Sequence, residues 1–242
     1  MNTKELVEKL VSWIRDTVLA AGCKGVVIGM SGGIDSSVLA VLCHQAFPQS
    51  TLGIFIPCYN SQTEVEHAQT VATQFSIPTR IVRLDNVFDA LLKELPEDKA
   101  DPAINRKTRG NLKARLRMLT LYYFANQLNY MVVGSSNRSE LSIGYFTKYG
   151  DGGVDIVPLG NLVKGQIREL ACFLDIPQQI IDKPPSADLW EGQTDEDELG
   201  FSYEELDRYL ITGEANDELK KKIETMIANN YHKRQPPPVA RF

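Results

Sequence analysis

A loop of glycine and hydroxyl residues, SGGIDSS at positions 31–37, joins an apolar run at 25–30 to an apolar helical pattern. Its paired glycines allow backbone conformations and close approaches that a Cβ atom would block. Consecutive backbone N–H groups in such a loop, together with the N-terminus of the next helix, attract an anion. The hydroxyl groups of Ser31, Ser36 and Ser37 can also donate to phosphate oxygens. The loop therefore predicts a phosphate-binding turn between a buried strand and a buried helix.

Asp35 separates this loop from two common phosphate-binding patterns. No lysine follows the glycines as in GxxxxGK[ST], and the spacing is not GxGxxG. A carboxylate beside bound phosphate repels it unless a cation lies between them. Asp35 therefore predicts magnesium, which proteins bind with few carboxylates plus phosphate oxygens. From the residues alone, the alternative is a tight strand-to-helix turn with a capping Ser or Asp.

Four apolar runs predict strands, and helical patterns lie between them. The predicted strands are 25–30, 52–57, 80–84 and 130–135, and the predicted helices are 36–43, 63–75, 87–95 and 111–126. Several strand runs are continuously apolar, which is typical of a parallel sheet buried on both faces. We therefore predict an α/β chain with a Rossmann-like three-layer fold, in which a central, mostly parallel sheet has helices on both faces. Such sheets bind ligands beyond the carboxyl ends of their strands.

The N-terminal segment predicts an amphipathic helix, because its apolar residues recur at helical spacing. These residues are Leu6, Leu10, Ile14 and Val18. Charged residues interrupt any signal-peptide core, and no apolar run approaches the ~20 residues of a membrane span. We therefore expect a cytoplasmic protein without membrane attachment.

Two segments carry no regular apolar pattern. Polar residues at Pro96–Gly110 predict a mobile loop, and Pro, Gly and acidic residues at Lys183–Gly200 predict a second irregular stretch. Long irregular stretches in a compact domain are uncommon and often act as lids or binding loops.

The 242-residue chain has a formal net charge of -5, which argues against nucleic-acid binding as its main activity. Its basic cluster consists of Arg106, Lys107, Arg109, Lys113, Arg115 and Arg117. An acidic cluster spans 195–198. Solvated surface accounts for both clusters, although a basic cluster in an acidic protein also suits an anionic small molecule. The scattered cysteines, Cys23, Cys43, Cys58 and Cys172, predict buried free thiols rather than disulfides or a zinc site.

The run SGGIDSS after an apolar strand resembles the pyrophosphate loop of the N-type ATP pyrophosphatases. Members of this group cleave ATP between its α- and β-phosphates and adenylate a carboxylate or carbonyl oxygen. A nitrogen or sulfur nucleophile then displaces AMP. The loop alone leaves several substrates open, including xanthosine monophosphate, citrulline and tRNA.

Four further stretches narrow the resemblance to the NAD synthetase family. They are GNLKARLRM (110–118), VGSSNRSELSIGYFTKYGDGGVDIVPLGNLVK (133–164), KPPSADLWEGQTDEDELG (183–200) and HKRQPPP (232–238). With the loop, they span nearly the whole chain in matching order. The resemblance implies one domain over 1–242 with an adenine nucleotide alpha hydrolase-like fold.

The resemblance also implies a reaction. The nicotinate carboxylate of deamido-NAD attacks the α-phosphorus of ATP, which releases pyrophosphate and leaves an acyl adenylate. Ammonia then attacks the activated carbonyl and gives NAD and AMP. A carboxylate is a poor acyl donor until its oxygen becomes a good leaving group, so this activation has a clear chemical purpose. Mg²⁺ is the implied cofactor and ATP the co-substrate.

The implied ATP site is centred on the loop. Its members are Gly29, Met30, Ser31, Gly32, Gly33, Ile34, Asp35, Ser36, Ser135, Lys164 and Ser186. Asp35 and Glu140 match the family's magnesium ligands, and Asp35 and Lys164 are implied to be catalytic. On the residues alone, Glu140 could equally be an acid favoured at a helix start and Lys164 a surface lysine of a helix.

The implied deamido-NAD site uses residues spread over the second half of the chain. Its members are Arg115, Lys148, Asp155, His232 and Lys233, of which Asp155 is also implied to be catalytic. Asp151 is a further candidate. Tyr145, Phe146 and Tyr149 are expected either to stack on the nicotinate ring or to pack in the ordinary way. Gln62 is a candidate adenine contact, although the surrounding PCYNSQTE departs from the Arg-Leu-Pro pattern of many members.

About 30 residues precede Ser31, so we expect no glutamine amidase domain and a reaction that uses ammonia. The family also implies a homodimer with deamido-NAD at the subunit interface. The apolar faces of the N-terminal helix and of the 111–126 helix are candidate contact surfaces, or parts of the chain's own core. Two other functions remain open, an amidating relative such as a GMP synthetase and a non-catalytic adenylate-binding module.

Overall fold

Four strands form one parallel sheet in the computed structural model, which describes residues 2–60, 62–96, 101–187, 189–190 and 192–241. The strands are β1 Val26–Gly29, β2 Thr51–Phe55, β3 Thr79–Ile81 and β4 Met131–Val133, in the spatial order β3-β2-β1-β4. Val26 aligns with Thr51 on one side and with Met131 on the other. Ile156 adds a parallel bridge to Val133 beyond β4. The predicted α/β class with a parallel sheet is confirmed.

The described helices are α1 Thr3–Ala20, α2 Ile34–Ala46, α3 Gln62–Gln74, α4 Asp85–Glu94, α5 Pro102–Leu128, α6 Arg138–Ile143, α7 Lys164–Phe173, α8 Gln178–Ile181, α9 Asp195–Leu199, α10 Tyr203–Thr212 and α11 Asp217–Asn229, and a 3₁₀ turn follows at Tyr231–Lys233. None of them combines the length and the apolar character needed to cross a membrane.

The helices cover both faces of the sheet. On one face α1, α2, α3 and α7 pack around Val26 and Ile28. On the opposite face α4 and α5 pack around Val27 and Ile54. Successive residues of a strand point to opposite faces, so a strand buried on both sides must be apolar throughout, as β1 is. A third core joins α6, α10 and α11 beyond the sheet.

The prediction of a loop at Pro96–Gly110 is wrong for most of these residues. Residues 97–100 lie outside the described residues, and α5 begins at Pro102. Asp101 caps this helix by accepting a hydrogen bond from the Ala103 N–H at 2.8 Å. Proline at the first helical position lacks the N–H that would have no partner there anyway. Polarity misled the prediction, because a solvent-facing helix is as polar as a loop.

The stretch predicted to be irregular at Lys183–Gly200 contains one short helix, α9. Thr194 starts it, since its side chain accepts from the Asp197 N–H at 3.3 Å. Residues 188 and 191 of this stretch lie outside the described residues. The rest carries no regular helix or strand, as predicted.

The prediction of four buried thiols is half right. Cys43 and Cys58 are buried, whereas Cys23 is half-buried and Cys172 is exposed, and all four are free. Burial raises the pKa of the Cys43 thiol well above its ordinary range, which makes it an inert core residue.

Candidate active site

A cleft of about 690 Å³ opens at the carboxyl ends of β1, β2 and β4. Its loop half is formed by Ser31, Asp35, Glu140, Lys164 and Ser186, with neighbours from residues 29–36 and 135–136. Its tail half is formed by Arg115, Phe146, Lys148, His232 and Lys233. The cleft thus brings together every predicted ATP-site residue except Gly32, and four of the five predicted deamido-NAD residues.

The SGGIDSS turn is held by its own hydroxyl groups. Ser36 and Ser37 are buried, and both donate to the Gly33 carbonyl, at 3.0 and 2.8 Å. The Ser31 N–H donates to Ser36 Oγ at 3.3 Å, while the Ser31 residue is exposed at the cleft. Of the three hydroxyl residues proposed as phosphate donors, Ser37 does not border the cleft. Ser36 and Ser37 therefore fix the start of α2, while Ser31 Oγ lies 3.0 Å from Ser36 Oγ and accepts from the Gly33 N–H at 3.3 Å.

Lys164 lies between two carboxylates that come from different helices. Its Nζ is 2.5 Å from Asp35 Oδ2 on α2 and 3.4 Å from Glu140 Oε1 on α6. The Lys164 side chain is 3% exposed and each carboxylate side chain 16%. The alternative of a surface helix lysine is therefore wrong. Distant stretches of sequence meet here because β1 and β4 are adjacent and their carboxyl ends share one edge of the sheet.

In the part of the chain that the structure describes, Lys164 is the one cation that contacts the two acids Asp35 and Glu140. Burial lowers the pKa of Lys164, but the charges of Asp35 and Glu140 outweigh this effect, so the lysine stays cationic. Burial also raises the pKa of Glu140, to about 8, against the opposing effect of Lys164 and with repulsion from Asp35. Keeping both carboxylates ionised is therefore costly with one ammonium group alone. A further cation at this point would relieve that cost.

Asn137 positions both carboxylates and was not predicted. It is fully buried, and its side-chain amide donates to Asp35 Oδ1 at 2.9 Å. Its side-chain oxygen accepts from the Glu140 N–H at 3.0 Å, while Glu140 Oε2 accepts from the Asn137 N–H at 3.1 Å. This reciprocal capping box starts α6 and aims Glu140 at the same time. The Asn-x-x-Glu spacing is the signal that would have revealed it.

Asp207 of α10 was also missed. It is buried and accepts hydrogen bonds from Ser139 Oγ at 2.5 Å and from the Gly165 N–H at 2.7 Å. Ser139 Oγ in turn accepts from the Lys164 N–H at 3.1 Å. One carboxylate therefore caps α7, which carries Lys164, and ties it to α6, which carries Glu140. No local pattern reveals this contact, because Asp207 lies more than forty residues further along the chain.

The acidic cluster at 195–198 is only partly a solvated surface. Asp195 is buried and accepts from Tyr203 Oη at 3.0 Å and from Tyr145 Oη at 3.2 Å. Burial raises the pKa of Asp195, and the positive charge of Lys164 opposes this rise. Tyr203 lies under Lys164, whose Nζ is 4.9 Å from the ring centroid. These groups form the buried wall behind the lysine.

In the tail half the cations bind main-chain oxygens instead of carboxylates. Lys233 Nζ donates to two carbonyl groups of the 144–146 turn, at 2.7 and 3.0 Å. Lys148 Nζ donates to the His232 carbonyl at 2.7 Å, and Arg115 Nη2 donates to the Lys148 carbonyl at 3.3 Å. Burial lowers the pKa of Lys233. This half therefore presents several cationic side chains held by carbonyl groups, with the Asp151 carboxylate as a neighbouring charge that opposes the fall in the pKa of Lys233.

Besides Gly32 and Ser37, three further predicted residues do not line this cleft. The Asp155 carboxylate is exposed, and it accepts from Tyr122 Oη at 2.9 Å and from the Val132 N–H at 2.8 Å, beside β4. Tyr149 and Gln62 are exposed and also lie outside the cleft lining. Tyr145, Phe146 and Asp151 do line it. A single chain therefore does not bring Asp155 to the other predicted deamido-NAD residues.

The basic cluster on α5 divides into separate roles. Lys107, Arg115 and Arg117 border the cleft. Lys113 is buried and donates to the Leu189 carbonyl at 2.9 Å. Arg106 lies over the ring of Trp190, 5.2 Å from its centroid. The cluster is thus neither wholly solvated surface nor wholly an anion site.

Similarity to known proteins agrees with this geometry. A family model described as NAD synthase matches residues 6–237. The NH₃-dependent NAD(+) synthetase of Syntrophomonas wolfei is 46% identical over 241 residues, which cover 99% of this chain and 97% of that protein. The structure of NMN synthetase from Francisella tularensis has a TM-score of 0.93 and 36% identity, with full coverage of both chains. The NH₃-dependent NAD synthetase from Campylobacter jejuni, in complex with the nitrate ion, has a TM-score of 0.81 and 28% identity, again with full coverage of both.

Proposed function

The chain belongs to the NAD synthase family, and on that premise we propose that its acid substrate is deamido-NAD. Its reaction is the ATP-dependent amidation that makes NAD, with ammonia as the nitrogen source. The observation that supports this substrate assignment best is the division of one cleft into two halves. The loop half suits the phosphates of ATP, and the cationic tail half suits a second, anionic nucleotide.

In the first step, a nicotinate carboxylate oxygen attacks the α-phosphorus of ATP, and the bond to the bridging oxygen of the pyrophosphate breaks. In the second, the ammonia nitrogen attacks the carbonyl carbon, AMP leaves with the electron pair of the C–O bond, and one proton is released. Neither step needs a nucleophilic side chain. The residues of the chain therefore act by positioning two anions, neutralising phosphate charge and excluding water.

The loop half supplies the positive potential that the first step needs. The N-terminus of α2 borders the cleft, and its positive potential is suited to pyrophosphate oxygens. Lys164 remains cationic and can stabilise the charge that develops on the leaving group. Ser135 and Ser186 border the same space and are assigned to the ATP phosphates.

Mg²⁺ fits Asp35 and Glu140. The two carboxylates both contact Lys164 Nζ, and burial together with the nearby Asp35 charge raises the pKa of Glu140, so a further cation would favour its ionised form. Among the described residues, no three His, Cys, Asp or Glu side chains converge on a common point. The ion would therefore complete its shell with phosphate oxygens and water, as Mg²⁺ commonly does, and when bound it neutralises phosphate charge.

The tail half is assigned to deamido-NAD, and a second copy of the chain is assigned to complete it. Asp155 lies outside the cleft of its own chain and is bonded to Tyr122 of α5. Leu119 and Tyr123 lie one turn apart on α5, on either side of Tyr122 in the sequence, and are 60% and 62% exposed. An exposed apolar face beside Asp155 supports a homodimer in which each Asp155 reaches the partner's cleft. By contrast, α1 buries its apolar face within the chain's own core.

The remaining assignments concern the number of domains and the cellular location. Because α1 packs on the same core as β1, we assign residues 1–242 to one domain. The need for ATP supports the cytoplasm as the place where the reaction occurs.

A second candidate substrate is nicotinate mononucleotide, the acid whose amidation gives NMN. It is favoured by one observation, the TM-score of 0.93 and 36% identity to the NMN synthetase structure. Both acids share the nicotinate ring, its carboxylate and a ribose phosphate. Only deamido-NAD carries the additional adenylate.

The test is an amidation assay with ATP and Mg²⁺, in which each acid is supplied with ammonium or with glutamine. We expect NAD from deamido-NAD with ammonium and none with glutamine. A higher kcat/KM for nicotinate mononucleotide would favour the second candidate. Xanthosine monophosphate is the control acid and should release no pyrophosphate. Formation of neither amide would overturn the proposal.

A further inference from the structure

A second ion pair borders the cleft beside the phosphate loop. It joins Lys183 Nζ to Glu64 Oε1, and neither residue was singled out by the sequence. Their side chains are 24% and 11% exposed, whereas the Lys4–Glu8 and Lys9–Glu5 pairs on α1 are exposed at 48% or more. Surface pairs contribute little, but a partly buried pair next to an anion site influences the local potential.

Glu64 lies directly against the phosphate loop. Gly32 has a φ of +82°, and a Cβ atom built there would be 2.4 Å from the Glu64 carbonyl oxygen and 3.2 Å from Glu64 Oε2. Gly32 is therefore required both by its conformation and by the closeness of Glu64. The contact also means that a carboxylate lies within a few ångströms of a turn suited to pyrophosphate. Without compensation this charge would repel the phosphates.

Lys183 supplies the compensation and brings a further segment with it. It begins the segment 183–186, which borders the cleft and ends at Ser186, a residue assigned to the ATP phosphates. The Pro185 carbonyl in this segment accepts from the Asp195 N–H at 3.0 Å, which joins it to α9. The ion pair thus attaches Lys183, at one end of the segment, to Glu64 of α3, which lies against the phosphate loop.

We propose that the Lys183–Glu64 pair favours ATP binding, because Lys183 neutralises the Glu64 carboxylate beside the phosphate loop. This inference rests on the proposed function only in taking ATP as the ligand. It assigns Lys183 no direct contact with substrate. Its action passes through Glu64.

Three variants test the role of charge in this pair. Lys183→Met removes the cation that pairs with the Glu64 carboxylate, so the Kd and the KM for Mg–ATP should rise about 10- to 100-fold. Glu64→Gln removes the repelling charge and should raise both by less than about fivefold. The double variant Lys183→Met/Glu64→Gln should bind Mg–ATP at least about tenfold more tightly than Lys183→Met alone. In all three, kcat and the KM for the acid substrate should change by less than about threefold.

Calorimetric titration of the full chain with Mg–ATP provides the Kd without turnover. The matched control is Lys9→Met, which breaks the exposed pair with Glu5 and should leave the Kd unchanged. A double variant as weak as Lys183→Met would overturn the proposal, since it would mean that Lys183 contacts the phosphates itself. A fall in melting temperature with an unchanged Kd in every variant would also overturn it, because the pair would then be purely structural.

The same titration separates this inference from the proposed function. If the wild-type protein binds Mg–ATP but makes no amide, the function fails, while rescue of the Kd in the double variant still supports the pair. If amide is formed but no rescue occurs, the function stands and the pair does not.

Discussion

The charged side chains in the two halves of the cleft are held by different kinds of partner. In the loop half, a buried lysine bridges two carboxylates, Asn137 holds both carboxylates, and Asp207 holds the start of α7, which carries the lysine. In the tail half, Lys148 and Lys233 are bound by backbone carbonyl groups, and the predicted acid, Asp155, faces away. The loop half is therefore complete within one chain. The tail half has cations in place but lacks a carboxylate that the family resemblance assigns to it.

This difference follows from how each half is built. The loop half stands at the ends of adjacent parallel strands, so the sheet itself sets its geometry. The tail half is formed by the 144–151 turns and the 3₁₀ turn at Tyr231–Lys233, which the sheet does not position. We infer that the loop half carries the adenylation chemistry and the tail half carries recognition of the acid.

The largest expected effect comes from the loop half. Asp35→Asn keeps the shape of the side chain but removes the closest charge to Lys164, so kcat should fall about 100- to 1000-fold. The fold should survive, because the neutral oxygen can still accept from Asn137. Pyrophosphate release and the melting temperature are the measurements. Near-normal turnover would show that Asp35 is not a functional ligand.

The next prediction tests whether a partner completes the tail half. Asp155→Asn alone should be almost inactive, as should Asp35→Asn alone. After unfolding and refolding an equal mixture, half of the dimers are hybrids with one intact cleft each, so roughly a quarter of wild-type activity should return. A mixture that stays inactive, although both variants refold as dimers, would place Asp155 in the cleft of its own chain or outside catalysis.

A smaller effect is expected from Asp207, which acts on the loop half through α7. Asp207→Asn replaces one acceptor oxygen by a donor, which disturbs the N-terminus of α7 and displaces Lys164. Because misplacement of a reacting group by about an ångström is costly, kcat should fall about 10- to 100-fold with little change in KM for either substrate.

The control for Asp207 is Asn216→Ala, which removes the cap of α11 far from the cleft. It should cost about 1 kcal/mol of stability and leave kcat unchanged. Equal effects of the two variants on kcat would mean that Asp207 has only a structural role.

The smallest effect concerns stability and its dependence on pH. Burial raises the pKa of Glu140 from its ordinary value near 4.5 to about 8, so this group stabilises the fold below the lower value and loses that contribution as the pH rises through the upper one. Without ligands, Glu140→Gln should therefore stabilise the protein by about 1–3 kcal/mol at pH 8.5, and the gain should shrink towards pH 5. The control Glu8→Gln, on the solvent-exposed face of α1, should show no pH-dependent gain in stability. A pH-independent difference for Glu140→Gln would contradict the assigned charge cost.

The sequence predicted the sheet and the loop half well because both depend on local patterns. Apolar runs located the four described strands, and SGGIDSS located the strand-to-helix turn at the cleft, which we assign to phosphate binding. Lys164 and Glu140 were assigned by family resemblance, and the structure adds that Lys164 is buried and Glu140 half-buried. The start of α5 was missed because Asp101 and Pro102 form a cap whose signal is hidden by polar residues on either side. Asp207 and the Lys183–Glu64 pair were missed because their partners are distant in sequence.

In the proposed mechanism, the carboxylate of the acid substrate attacks the α-phosphorus of ATP in the loop half before ammonia reacts. The most direct measurement uses deamido-NAD whose nicotinate carboxylate carries heavy oxygen, with ATP, Mg²⁺ and ammonium. Mass spectrometry of the products should find one heavy oxygen in the phosphate of AMP and none in pyrophosphate. Heavy oxygen in pyrophosphate or inorganic phosphate, or unlabelled AMP alongside labelled NAD formation, would contradict the account.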